Sequence, residues 1–106
     1  MGWVFLLLAG GLEVAFTTSL RMLIKTPNSI LLNVIFVILV IASFACLQHA
    51  VRSVPLGTGY AVWTGIGAVG TVIVGGLFFG ESLPPIRMVF IGLVVAGVVG
   101  LKLIEA

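Results

Sequence analysis

Phe5-Leu-Leu-Leu-Ala-Gly-Gly-Leu-Glu-Val-Ala-Phe-Thr-Thr-Ser-Leu20 is an apolar run broken by one acid, Glu13, with no basic residue within seven positions on either side. The run extends from Trp3 to about Ile24 without a proline, roughly the length that crosses a bilayer as a helix, and Glu13 falls near its midpoint. A carboxylate at that depth costs several kcal/mol unless it is paired, protonated or facing a water-filled cavity. Glu13 is therefore the first candidate for a functional residue.

Working outward, the composition agrees with a membrane setting. The chain has 106 residues, of which 61% are hydrophobic and 8% charged. Its mean hydropathy is +1.40. Soluble domains carry about 25% charged residues, so this is the composition of an integral membrane protein. The length allows one domain over residues 1–106. The first apolar segment is too long for a signal-peptide core and lacks a basic leader, so it reads as a retained membrane helix. Cys46, the single cysteine, has no intrachain partner. A net charge of +2 from five dispersed bases gives no nucleic-acid surface. The sequence holds no metal-ligand cluster, phosphate loop or nucleophile–base pair, so no metal, cofactor or enzymatic activity is expected.

Four apolar segments are legible, at about 3–24, 30–50, 56–79 and 86–104. Lys25-Thr-Pro-Asn-Ser29 separates the first two, with Pro27 and Asn28 as turn residues and Ser29 placed to cap the next helix. Arg52-Ser-Val-Pro55 closes the second segment, and Gly80-Glu-Ser-Leu-Pro-Pro85 ends the third. Lipid cannot hydrogen-bond an exposed backbone, so segments of this length are expected to be helices. The connections are short, which makes sequence neighbours antiparallel. The expected fold class is an all-α membrane protein of four transmembrane helices.

Four spans put Arg52 and Lys102 on one side of the membrane and Arg21, Lys25 and Arg87 on the other. So small a bias is compatible with insertion in both directions, and hence with a dual-topology antiparallel dimer. Four short helices can hardly enclose a cavity and also gate it from both sides. A second copy, or a paralogous chain, is the expected partner. Gly92, Ala96 and Gly100 recur at i, i+4 and i+8, a small-residue stripe on the fourth helix suited either to that partner or to packing within the monomer.

On its helix Glu13 shares a face with Gly10, Phe16 and Thr17. Gly10 leaves space, Phe16 offers a ring and Thr17 a hydroxyl. A low-dielectric setting favours the neutral acid, which suits a group that holds either a proton or a cation. In the third segment Tyr60, Trp63, Gly67 and Gly70 fall on one face, and glycines such as Gly65 and Gly67 can bend the helix. Tyr60 and Trp63 can each donate to a carboxylate or present a ring to a cation. The alternative for both is an aromatic belt at the membrane interface. Ser43 either orients Glu13 or bonds its own helix's carbonyl. His49 and Lys102 lie near helix ends, where interfacial placement is usual. Glu81 and Glu105 read as solvated charges.

Glu13 in the first helix, Gly57-Thr-Gly-Tyr-Ala-Val-Trp-Thr-Gly-Ile-Gly67 in the third and Gly100-Leu-Lys102 in the fourth together resemble the small multidrug resistance family, in particular its guanidinium-exporter branch. The resemblance covers essentially the whole chain. It implies an antiparallel dimer in a bacterial plasma (inner) membrane, with two Glu13 carboxylates exchanging protons for a small organic cation by alternating access. It further implies that Gly10 lines the pocket, that Ser43, Tyr60 and Trp63 tune the acid, and that Lys102 is structural support. Phe16 departs from the pattern, because that branch usually carries a tryptophan there whose N–H bonds the carboxylate. The change makes room for quaternary ammonium or other hydrophobic cations, and it is similar to members that work as heterodimers. A non-transporting membrane assembly subunit, with Glu13 as an interhelical clamp, is the alternative from another class.

Overall fold

The computed structural model describes residues 2–105, and these form four helices joined by tight connections. They are α1 (Gly2–Lys25), α2 (Ile30–Ala50), α3 (Leu56–Phe78) and α4 (Pro85–Glu105), each long and apolar enough to cross a membrane. No strand occurs among the described residues.

The connections follow from local chemistry. Ser29 caps α2, its hydroxyl accepting from the Leu32 N–H at 3.3 Å, and the Asn33 amide folds back onto the carbonyls of Pro27 and Ser29. Pro55 and Pro84 immediately precede α3 and α4, where a missing N–H is least costly. Gly80 adopts φ 69°, the left-handed region that glycine enters without a steric penalty, and this turns the chain back after α3. The N–H groups of Phe79 and Glu81 then both donate to the Gly75 carbonyl, at 3.1 and 3.0 Å, which closes the end of that helix.

The helices form a slab of 43 × 34 × 16 Å, little more than one helix thick. Across it α1 lies between α2 and α3, and α4 follows on the far side of α3. Although α2 and α3 are joined by a short turn, they meet only in the half nearest that turn, through Ser43, Phe44 and Trp63, because α1 is interposed beyond it. The buried core gathers where the start of α1 meets the end of α2 and the start of α3, around Leu6, Ala9, Leu47, Ala50, Val62 and Trp63. No described residue of α4 is buried. Gly65 lets α4 come close to α3, since a Cβ there would stand 2.9 Å from Val98.

Candidate functional site

Glu13 points from α1 toward α3, where Gly67 receives it. A Cβ on residue 67 would run into the Glu13 carboxyl group, so the absence of a side chain there is what admits the acid to the interface. Glu13 Oε1 is buried and has no hydrogen-bond partner among the described residues. A buried acceptor left without a donor is expensive, and in a native structure such an atom marks a place of strain or of function. Sequence reading placed Gly67 at a helix bend. Its contact with the acid has a faint sequence signal, the match of two glycine-bearing helix faces.

The neighbours of Glu13 are distributed differently from their one-dimensional spacing. Gly10 is not open space, because Ile66 fills it and a Cβ would lie 2.6 Å from the Ile66 Cγ2. Phe16 turns toward α2 and meets Phe36 edge-on, with ring centroids 5.9 Å apart. Thr17 donates to the Val14 carbonyl at 2.9 Å or shares a 2.7 Å hydroxyl contact with Thr71 of α3.

One turn before Glu13, a buried relay ties three helices. The Trp63 indole N–H donates to Ser43 Oγ at 3.0 Å, and Ser43 Oγ donates to the Ala9 carbonyl at 2.7 Å. Trp63 thus spends its N–H on Ser43 rather than on the carboxylate. Ser43 bonds across to α1 and leaves its own helix's carbonyls alone. Phe44 stands edge-on to the Trp63 ring at 4.9 Å, and Tyr60 packs on it at 5.8 Å. Tyr60 is 57% exposed and its ring lies against Trp63, so within one chain it belongs to the surface around the tryptophan.

The remaining candidates lie away from the acid. Gly92 and Gly100 have nothing within 4 Å of where a Cβ would stand, and Ala96 is exposed, so the α4 stripe is uncovered in one chain. Lys102 reaches over the Trp3 ring, 5.2 Å from its centroid, and links the end of α4 to the start of α1. His49 stacks on Phe5 with centroids 4.1 Å apart. Glu81 differs from its reading as a solvated charge, since it forms an ion pair with Arg21 at 3.2 Å. A cavity of about 280 Å³ between α1, α3 and α4 is lined by apolar groups including Val14, Val69 and Val98, and Glu13 is not among them.

A membrane-embedded acid against a glycine, with a Ser–Trp relay beside it, is the arrangement in which the whole-chain comparison can be placed. The family model described as Small Multidrug Resistance protein matches residues 1–94. The chain belongs to the small multidrug resistance family. A guanidinium exporter of Citrobacter freundii is 47% identical over 107 residues, covering 97% of each chain. Guanidinium exporters of Escherichia coli K12 and Salmonella typhimurium LT2 are 45% and 44% identical over 103 residues, again with 97% of each chain covered. As a member of this family of exporters the chain is a transporter and not an enzyme. Four membrane-spanning helices and enterobacterial relatives make it a multi-pass protein of the inner membrane.

Proposed function

We propose that this small multidrug resistance protein exports guanidinium or guanidinyl cations in exchange for protons, working as an antiparallel dimer in which two Glu13 carboxylates share one central site. The observation that carries the reading is the buried Glu13 Oε1, held against Gly67 at mid-membrane without a donor. An acid in that state has room for one of two occupants, a proton or a cation. Guanidinium is planar with N–H donors around its rim, so paired carboxylates meet it with charge-assisted bonds. Loading the cation expels the proton, and the proton gradient drives the cycle. The names of the relatives support the choice of cation.

The slab shape supports the dimer. A layer little more than one helix thick cannot surround a substrate, and a second copy laid over the Glu13 face completes a chamber. In such a pair Tyr60, exposed beside Trp63, is free to reach the site from the partner, and Gly92, Ala96 and Gly100 offer a face for close helix contact. Gly10 and Gly65 act by letting helices approach, Ser43 and Trp63 by keeping α1 in register with α2 and α3, and Lys102 by securing the end of α4. Phe16, packed on Phe36, leaves the acid without an aromatic donor on its own helix, which favours hydrophobic cations as secondary substrates.

The test is proton release from reconstituted protein on addition of guanidinium. Release is expected with the native chain and is abolished, together with uptake, in Glu13→Gln. Persistence of either in the variant removes Glu13 from the role. Release by a tetra-alkylammonium ion and none by guanidinium replaces the guanidinium reading with a quaternary-ammonium one.

A further inference from the structure

Three residues of α1 at four-residue spacing, Glu13, Thr17 and Arg21, face three residues of α3 at the same spacing, Gly67, Thr71 and Gly75. The seam starts at the mid-membrane acid and steps outward by about 6 Å per layer toward the α3–α4 connection. In its second layer the Thr17 and Thr71 hydroxyls meet at 2.7 Å. In its third, Arg21 Nη2 lies 3.2 Å from Glu81 Oε2 and donates a long bond, 3.4 Å, to the Thr71 carbonyl, while the guanidinium rests 4.9 Å from the Phe79 ring centroid. Gly75 makes this layer possible, because a Cβ there would strike the Glu81 carboxylate and stand 2.8 Å from Arg21 Nη1. The Arg21 side chain is 17% exposed, and its Nη1 is buried without a partner among the described residues.

We propose that the Arg21–Glu81 pair, seated over the Thr17–Thr71 hydroxyl contact, is a latch that closes the water route to Glu13 from the membrane face carrying the α3–α4 connection. The inference rests on the exchange reading above, since only a site loaded from water needs such a closure. Its chemistry suits the task in two respects. Each of the three layers carries polar side chains beside the one apolar contact of Val14 on Gly70, so a parted seam wets readily, whereas a wholly apolar seam of that width would stay dry. The pair itself is partly exposed, with Glu81 at 41%, and ion pairs of that exposure are weak enough to break and reform in each cycle. Glu81 also stands just before α4, with its N–H on the Gly75 carbonyl at 3.0 Å, so opening the latch frees the start of α4 to move. In an antiparallel dimer the two latches face opposite sides of the membrane, one for each direction of access.

The test uses purified protein in nanodiscs, which expose both membrane faces, with C46A removing the native thiol and T71C reporting on the seam. The labelling rate by a membrane-impermeant methanethiosulfonate reagent is compared in that background with and without E81Q. Loss of the pair is expected to raise the rate about fivefold. The charge-reversed double variant R21E/E81R is expected to return it to the starting value while eluting as the same species on size exclusion. An unchanged rate in E81Q overturns the latch, as does a charge-reversed protein that labels as fast as E81Q. Guanidinium-triggered proton release in the reference protein separates the two readings. Release with no change in labelling defeats the latch alone. Latch-dependent labelling without release defeats the exchange reading and leaves the pair as a water seal.

Discussion

The α1–α3 seam and the outer face of α4 are built from similar glycine-rich helices and end in opposite states. Along the seam these glycines are occupied: Gly10 by Ile66, Gly67 by Glu13 and Gly70 by Val14 from across the interface, and Gly75 by Arg21 of α1 together with Glu81 of the α3–α4 connection. Along α4 the glycines Gly92, Gly97 and Gly100 have nothing within 4 Å. Glycine in a membrane helix is thus a vacancy whose meaning depends on what faces it. On α3 it admits side chains from α1, the acid among them, into a closed interface, and on α4 it leaves a smooth surface that a second helix can approach.

The largest effect expected from breaking the seam is at its acid. Glu13→Gln should abolish both guanidinium uptake and the proton released on loading, read by a pH indicator and by radiolabelled or electrogenic flux. Next comes the glycine that receives the acid. Gly67→Ala adds a methyl group where the carboxyl lies, and displacement of a reacting group on that scale lowers transport by about tenfold or more, with helical content by circular dichroism unchanged. The α4 face is then sharpened by Gly92→Leu combined with Gly100→Leu. Because nothing in the monomer touches these positions, helical content should hold while the dimer's dissociation constant rises roughly tenfold, measured by single-molecule or dilution-based association in bilayers. An unaffected dimer would show that α4 faces lipid. The smallest effect is at Ser43→Ala, which strands the Trp63 indole N–H and removes the cross-helix bond to the Ala9 carbonyl; unfolding stability in detergent should fall by about 1–3 kcal/mol.

The four helices were open to sequence reading because the bilayer makes secondary structure nearly local. Each span satisfies its backbone within itself, so an apolar run bounded by Pro27-Asn28, Pro55 or Pro84-Pro85 specifies a helix without reference to its neighbours. Glu13 was equally plain, since an acid in the middle of such a run stands out by cost alone. The combination of Glu13 with the Gly57–Gly67 motif and Lys102 was enough to reach the family that the whole-chain comparison bears out.

Other features depended on how the helices turn about their axes. The i, i+3, i+4 rule put Gly10, Phe16 and Thr17 beside Glu13, yet α1 is wedged between α2 and α3, so Phe16 goes to Phe36 on one flank while Glu13 goes to Gly67 on the other. Sequence offered the Trp63 N–H only the Glu13 carboxylate, and the packing of α2 and α3 against α1 gave it to Ser43 instead. Glu81 looked solvated because its partner Arg21 lies sixty positions away and on a different element, with the left-handed turn at Gly80 bringing them together. The sequence by itself determined the membrane setting, the spans and the mid-span acid, all of which follow from local hydropathy and backbone hydrogen bonding. Tertiary structure alone decided which donor meets which acceptor and which glycine is filled, because those pairings depend on helix rotation and order across the slab, and hydropathy is silent about both.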